Sequence, residues 1–205
     1  MSWIAEHPTI LLTAVAVAAA LWAIIGSHHV FRYLSDDHDE GLYLLQAEAL
    51  AHGHIFPPAP KHAEAFVPWL TVLSEDKYVL KYAPVHASIL ALGERLFGSP
   101  RLSLGLIAAG VVVMTYLLAK EVLGNRRLAL LASAFLGLSP LFLVQSATFL
   151  PYCSSLLLLE AFAFTLFRGV RTKSRGTLAV SGLLFGLALF ARPFDALIFG
   201  APLGV

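Results

Sequence analysis

The sequence predicts an all-α integral membrane protein, a polytopic helix bundle with a long extracytoplasmic first loop that contains short interfacial helices. The first observation is composition, since 58% of the 205 residues are hydrophobic and only 13% are charged. Soluble domains have about 45–50% apolar and about 25% charged residues. The second observation is the mean hydropathy of +0.77. The third is that the charges are concentrated between apolar runs of membrane-spanning length.

The apolar runs predict the membrane spans. A helix needs about 17–25 apolar residues to cross the roughly 30 Å hydrocarbon core. The predicted spans cover about 9–25, 102–123, 128–145, 152–167 and 177–190, and a sixth begins near 194. The first run follows no Lys or Arg and precedes no small-residue cleavage site, which favours an uncleaved span over a signal peptide. We expect residues 1–205 to be the N-terminal part of a longer protein, because the last apolar run has barely begun where the sequence ends.

The segment over 27–100 is predicted to be a polar loop between the first two spans. It holds most of the acidic residues and all but one of the eight histidines. Residues Glu40 to Ala51 predict a surface helix that ends before Gly53. Residues Val85 to Phe97 are apolar but too few to cross, and they predict a helix at the membrane interface.

The basic residues predict the orientation of the chain. Short basic loops remain in the cytoplasm, and the connections at 124–127 and 168–175 are basic. The uncharged connection near Thr148 is then outside. Counting back along the spans places the N-terminus in the cytoplasm and the loop 27–100 outside it. We therefore expect a multi-pass protein of the plasma (inner) membrane.

The densest polar cluster runs from Ser35 to Glu40, immediately after the first span. A carboxylate at a low-dielectric boundary can act as a general base. The same oxygens can hold a divalent cation, the one candidate cofactor, with Asp36 and Asp39 as candidate ligands. The alternative is helix capping, since Asp37 and Glu40 have the spacing of a capping box. Both interpretations stay open, because one acid can cap while its neighbour reacts.

Three further charged residues are candidates for chemistry. Lys81 precedes the predicted interfacial helix and could grip a lipid phosphate or simply extend to the headgroups. Arg192 ends the fifth predicted span, where it could bind an anion or pair with Asp195. Glu160 lies in the middle of a predicted span without a polar sequence neighbour, and an intramembrane carboxylate is a functional candidate by default.

Other classes of site find little support in the sequence. The histidine spacings do not match a zinc site, and Cys153 is the only cysteine. The chain has no G-x-G-x-x-G and no Walker motif, so we expect no nucleotide-binding domain here. We also expect no nucleic-acid partner. Gly182 and Gly186 form a G-x-x-x-G that favours close helix packing within the protein.

Four segments, taken together, resemble a known family. They are Asp39-Glu40-x-x-Tyr43 followed by Ala47-Glu48 and Gly53; Lys81-Tyr82-Ala83-Pro84; Leu96-Phe97-Gly98-Ser99-Pro100-Arg101; and Gly182 to Gly186 continuing to Ala191-Arg192-Pro193. From about residue 9 to the end, the chain resembles the N-terminal half of the membrane-embedded GT-C glycosyltransferases. The likeness is greatest to bacterial relatives of the protein O-mannosyltransferases and lipid A aminoarabinose transferases, which are family 39-like. Two departures are Ala83-Pro84-Val85, where Pro-Pro is commoner, and Tyr152, where many relatives have Asp or His.

The resemblance implies an activity and a role for each matching residue. Such enzymes move a sugar from a polyprenyl-phosphate carrier to an acceptor hydroxyl on the outer face, with inversion. By carry-over, Asp39 would be the general base, and Glu40 would support the site or help place a cation. The donor phosphate would bind Lys81 and Arg192. Tyr43, Tyr82 and Tyr152 would support the site or the acceptor. The implied partners are a polyprenyl-phosphate-linked sugar, membrane lipid and an acceptor that is a protein, a lipid or a polysaccharide.

Two other functions compete with this interpretation. A multi-span transporter or flippase for a lipid or small solute would use Glu160 and Arg192 as intramembrane site residues. It should show paired, interrupted spans, and it leaves the acidic outer loop unexplained. A non-catalytic membrane scaffold would tolerate replacement of Asp39, Lys81 and Arg192 without loss of activity.

Overall fold

The computed structural model describes residues 8–32 and 38–203, most of which are helical. In chain order the α-helices are α1 (Pro8–His29), α2 (Asp39–Ala51), α3 (Val85–Phe97), α4 (Pro100–Leu123), α5 (Arg126–Gly137), α6 (Pro140–Ser146), α7 (Tyr152–Thr172), α8 (Arg175–Ala191) and α9 (Pro193–Gly200). Short 3₁₀ helices occupy Ala63–Ala65 and Ala201–Leu203. The predicted all-α membrane fold is confirmed, and the chain is a multi-pass membrane protein.

Three of the described helices, α1, α4 and α7, are long and apolar enough to cross a membrane. A fourth crossing is formed if α5 and α6 count as one broken span. The helix α8 and the segment Pro193–Leu203 are apolar but shorter. Charged residues mark the ends of these helices, as the pairing of Arg171 in α7 with Glu121 in α4 illustrates.

The apolar run predicted over 128–145 is divided in the structure. Helices α5 and α6 meet at an angle of 63° across Leu138 and Ser139. Pro140 is at the first position of α6, where its missing N–H costs nothing, but it cannot continue the preceding helix. The direction change therefore follows from the proline. Trp22 of α1 then donates its indole N–H to the carbonyl of Leu143 at 2.7 Å, which fixes α6 against the bundle.

Helices α1 and α4 pack closely because small residues line their contact. A Cβ added at Gly105 would lie 2.8 Å from Ile24 Cδ1 and 3.2 Å from the Ala20 carbonyl oxygen. Small residues allow such close backbone approach in membrane bundles, where packing rather than water exclusion holds helices together. The buried core between the two helices consists of Ala16, Ala19, Ala23, Ile107, Ala108, Val111 and Val112.

The loop between α1 and α4 folds onto one end of the bundle. Its helices α2 and α3 pack on each other, and their buried residues Tyr43, Ala47, Ala87 and Leu90 continue the core of α1 and α4. A two-stranded antiparallel hairpin, β1 (Thr71–Ser74) and β2 (Lys77–Leu80), lies between α2 and α3. The sequence predicted only helices in this loop, so the hairpin is an addition to the predicted fold.

Candidate active site

Four parts of the chain meet at the end of the bundle that carries the loop. They are the start of α2, the link from β2 to α3, the loop 147–151 between α6 and α7, and the junction of α8 with α9. Hydrogen bonds join the first three, and Arg192 at the fourth lies over the ring of Tyr152, the residue that follows the loop. We use the name Asp39 cluster for the five residues at the centre, which are Asp39, Glu40, Tyr43, Tyr82 and His86.

Asp39 is the first residue of α2 and is half-buried. The hydroxyl of Tyr82 donates a hydrogen bond of 2.6 Å to its Oδ2 atom. Hydrogen bonds to a charged acceptor are short and roughly twice as strong as neutral ones. The first turn of a helix also attracts anions through its unpaired N–H groups and its dipole. Tyr82 therefore fixes the direction of a carboxylate that stands at a favourable place for negative charge.

Glu40 is almost completely buried, with 3% of its surface exposed. Its Oε2 atom accepts a hydrogen bond of 3.1 Å from the backbone N–H of Phe149. The loop around Phe149 is buried irregular backbone, and a buried N–H without a partner costs free energy. Glu40 therefore fastens α2 to this loop. The capping alternative involved Asp37, which lies outside the described residues, and His38 provides no side-chain cap for α2.

His86 of α3 is also buried, with 2% of its surface exposed. Its Nε2 atom lies 2.9 Å from the carbonyl oxygen of Phe149, and its Nδ1 atom lies 2.9 Å from Ser154 Oγ. A carbonyl can only accept, so Nε2 donates. Burial lowers the pKa of His86 to about 4, against the opposing effect of the Phe149 hydrogen bond. The ring is then neutral at pH 7 with its proton on Nε2, and Nδ1 faces the Ser154 hydroxyl, which also lies 2.9 Å from the carbonyl oxygen of Pro151.

Tyr43 connects the two halves of the cluster through its ring. It stacks on Tyr82 with 5.1 Å between ring centroids, and it meets the ring of His86 edge-on at 5.1 Å. Both are favourable aromatic geometries. Only 4% of the Tyr43 surface is exposed. The side chain that positions Asp39 is therefore itself held by a packed aromatic series ending at His86.

Lys81 lies on the exposed side of this aromatic series. Its ammonium is 5.3 Å from the centroid of the Tyr82 ring, within the range of a cation–π interaction. Its backbone N–H donates to the carbonyl of Leu70 at 3.1 Å, which extends the pairing of the hairpin by one step. The hairpin thus positions Lys81 and Tyr82 together.

Arg192 lies at the junction of α8 and α9, above the ring of Tyr152 at 4.5 Å from its centroid. Arg192 follows α8, which packs against α3, the helix that carries His86 of the Asp39 cluster. The sequence left open whether Arg192 pairs with Asp195. The structure shows this ion pair, in which the Nε and Nη2 atoms of Arg192 face the carboxylate. Among the described residues no acceptor occupies Nη1.

Sequence reasoning missed the loop 147–151 as a part of the site. Phe149 uses both of its backbone polar groups there, and Arg101 lies over its ring at 5.4 Å from the centroid. The sequence analysis gave no role to Arg101, which belongs to the motif Leu96 to Arg101. It considered the histidines, His86 among them, only as metal ligands. A single histidine on the inner face of an amphipathic helix is a weak signal, and a backbone loop gives none.

The described part of the chain contains no set of side chains that could bind a metal ion. No group of three or more His, Cys, Asp or Glu side chains gathers there around one point. Asp36, the second candidate ligand beside Asp39, lies outside the described residues. A divalent cation at Asp36 and Asp39 therefore stays a prediction.

Glu160 is buried inside the bundle and away from the Asp39 cluster. It lies eight residues after Tyr152, or about 12 Å along α7. Its Oε1 atom accepts a 2.7 Å hydrogen bond from Thr115 of α4. Its Oε2 atom is buried without a hydrogen-bond partner among the described residues. The sequence offered no partner for Glu160, and the structure supplies Thr115.

Comparison with known families gives the class of the protein, a membrane glycosyltransferase. Residues 81–203, more than half of the chain, match the family described as dolichyl-phosphate-mannose-protein mannosyltransferase. The chain belongs to this family, as the resemblance predicted, and it is a glycosyltransferase of the mannosyltransferase type. No curated protein and no solved structure matches the chain. The matched range includes Lys81, Tyr82, Tyr152 and Arg192, whereas Asp39 and Glu40 precede it.

Proposed function

We propose that the protein transfers a sugar from a polyprenyl-phosphate carrier to an acceptor hydroxyl on the outer face of the membrane, with Asp39 as the general base. The observation that carries the proposal is the Asp39 carboxylate, which Tyr82 orients at the start of α2, with Lys81 over the Tyr82 ring and Arg192 over the Tyr152 ring. Family membership supplies the reaction class.

In the proposed reaction Asp39 removes the proton of the acceptor hydroxyl. The acceptor oxygen attacks the anomeric carbon from the face opposite the carrier, and the bond from that carbon to the phosphate oxygen breaks. The phosphate leaves with the bonding electrons, so the anomeric configuration inverts. A general base in the correct position contributes about 10²–10⁴-fold to such a step.

Negative charge develops on the carrier phosphate as it leaves, and cations that face this charge stabilise the transition state. Lys81 is the first candidate, because its ammonium is exposed and has only the Tyr82 ring as a described partner. Arg192 is the second, because the ion pair with Asp195 leaves Nη1 available among the described residues. Asp195 holds the guanidinium over Tyr152, which gives a fixed rather than a mobile cation.

Glu40 acts in this proposal as a support rather than as a second base. Its carboxylate is buried and bonded to the Phe149 N–H, which makes it a poor site for proton exchange with an acceptor. Tyr152, which is 41% exposed beside Arg192, forms a wall of the sugar or acceptor site, whereas the buried Tyr43 supports the site through its stacking on Tyr82.

The distribution of basic residues supports an outer location of the site. The basic connections at 124–127 and 168–175 belong to the end of the bundle opposite the Asp39 cluster, because they join the far ends of α4, α5, α7 and α8. Basic loops remain in the cytoplasm, so the cluster faces the outside of the plasma (inner) membrane. A lipid-linked donor suits a site at the end of a membrane-embedded bundle.

The test uses membranes that contain the full-length protein and a panel of polyprenyl-phosphate sugars carrying mannose, glucose, arabinose or aminoarabinose. We expect transfer from one of these donors, with a product whose anomeric configuration is opposite to that of the donor by NMR. Membranes from cells without the protein are the control. Retention of configuration would contradict the role of Asp39 as base, and the absence of transfer from every donor would contradict the proposed reaction.

A further inference from the structure

His86 lies outside the set of residues that the proposed reaction uses, yet it contacts two of the parts that meet at the site. We propose that His86 is a positioning residue: by holding the carbonyl of Phe149 and the ring of Tyr43, it keeps Glu40 and Asp39 in the geometry needed for sugar transfer. The catalytic consequence rests on the proposed function, whereas the structural role of the histidine can be measured separately.

The first route from His86 to the acids runs through Phe149. The two backbone polar groups of this residue are held from different helices, the N–H by Glu40 of α2 and the carbonyl by His86 of α3. The loop 147–151 has no secondary structure of its own to fix these groups. If the carbonyl is released, the backbone of Phe149 can rotate, and the N–H no longer faces Glu40.

The second route runs through the aromatic series. The ring of His86 packs edge-on against Tyr43, which stacks on Tyr82, and Tyr82 donates to Asp39. Tyr43 is one helical turn from Asp39 on α2, so the same helix carries both ends of this connection. Movement of the imidazole therefore disturbs both acids.

The ring of His86 is itself held in a single orientation. Ser154, in the first turn of α7, lies against Nδ1 at 2.9 Å and fixes which nitrogen faces Phe149. Its Oγ atom also lies 2.9 Å from the carbonyl oxygen of Pro151. A second hydrogen bond that orients a histidine sets the tautomer that its other nitrogen presents. His86 thus joins α3, α7 and the loop between α6 and α7 at one buried point.

Two amide variants separate this role from simple packing. Glutamine at this position can place its amide N–H where Nε2 stands and can donate to Phe149, whereas asparagine is one methylene shorter and reaches only toward Ser154. Both are polar and similar in volume, so a difference between His86→Gln and His86→Asn reports the Phe149 contact. Ser154→Ala is the third variant, which removes the contact at Nδ1 and leaves the one at Phe149.

The experiment measures hydrogen exchange at the Phe149 amide and the donor kinetics of the full-length protein. We expect His86→Asn to raise the exchange rate about tenfold or more, as the loss of a hydrogen bond worth roughly 1.4 kcal/mol would do. It should lower kcat about tenfold with little change in the KM of the donor, because the cations that hold the phosphate are untouched. His86→Gln should restore both values to near those of the wild type.

Three results would contradict the inference, each at a different step. Equal exchange at Phe149 in wild type and His86→Asn would show that the histidine does not hold this backbone. Faster exchange with unchanged kcat would remove the catalytic consequence. A wild-type protein that transfers sugar from no donor would remove that consequence together with the proposed function, while the exchange comparison would still decide whether His86 positions Phe149.

Discussion

Tyr82 and Asp39 are 43 residues apart in the chain, and the phenol of one donates a 2.6 Å hydrogen bond to the carboxylate of the other. The contact joins the second residue after β2 to the first residue of α2. It gives the proposed base a fixed direction and places Lys81, the neighbour of Tyr82, at the same site.

Replacing Tyr82 with phenylalanine should reduce turnover without weakening donor binding. The ring and its stacking on Tyr43 remain, but the carboxylate loses a charge-assisted hydrogen bond worth roughly 1.5–3 kcal/mol. We expect kcat to fall about tenfold, which corresponds to the lower end of this range. Tyr116→Phe, in α4 outside the Asp39 cluster, is the matched control. Equal kinetics for wild type and Tyr82→Phe would show that Asp39 needs no orientation by the phenol.

Replacing Lys81 with glutamine should weaken donor binding. Loss of a charged hydrogen-bond donor to a phosphate costs roughly 1.5–3 kcal/mol, which corresponds to about a tenfold or greater increase in the Kd of a polyprenyl phosphate. The control is Lys77→Gln, because Lys77 also belongs to the hairpin and also lies over an aromatic ring, that of Phe56. Lys81 has no phosphate role if the two variants bind a polyprenyl phosphate equally well.

Acid should destabilise the packing of the loop onto the bundle through His86. Burial lowers the pKa of this imidazole from 6.5 to about 4. Between these pH values His86 is protonated in the unfolded chain and neutral in the folded one. Stability therefore rises with pH across this window and falls as the pH drops from about 6.5 toward 4, by on the order of 3 kcal/mol in total.

Thermal unfolding of the full-length protein in detergent at several pH values measures this effect. His86→Gln cannot titrate and should flatten the pH dependence between pH 4 and 6.5. His52→Gln, which changes an exposed histidine at the end of α2, should leave it intact. A wild-type unfolding temperature that is constant across this window would contradict the assignment.

Replacing Glu160 with glutamine should leave sugar transfer intact. An amide carbonyl still accepts the hydrogen bond from Thr115. Glu160→Ala removes this acceptor, leaves the hydroxyl only the carbonyl oxygen of Val111, and should cost about 0.5–1.5 kcal/mol of stability. A transporter that used Glu160 as its site residue would instead lose substrate movement in the glutamine variant. Measurement of transfer, solute uptake and unfolding temperature for both variants separates the two functions.

Much of the fold could be predicted from hydropathy and helix signals. The helix α3 has the bounds Val85–Phe97 that the sequence indicated, because Pro84 precedes it and Gly98, with φ of 68°, ends it. The hairpin was missed since its strands are only four residues long and lie in a loop rich in turn residues. The bend at Pro140 was missed because the apolar run continues across it.

The site was harder to predict than the fold, for a physical reason. Asp39, Lys81 and Arg192 are exposed or half-buried charged residues that stand out in an apolar sequence. The surrounding hydrogen bonds join residues that are far apart in the chain. Phe149 is 63 residues from His86 and 109 residues from Glu40, and it bonds to both through its backbone. Backbone groups are the same in every residue, so no sequence pattern marks the one that Glu40 and His86 hold.

The most direct test of the central claim compares Asp39→Asn with Asp76→Asn in single-turnover sugar transfer by the full-length protein, at matched expression. Asp76 is an exposed acid in the turn of the hairpin, and its replacement removes the same charge from the same loop. We predict that Asp39→Asn lowers the rate by about 10²–10⁴-fold, and that Asp76→Asn keeps the wild-type rate. Equal rates for the two variants would contradict the claim that Asp39 is the base.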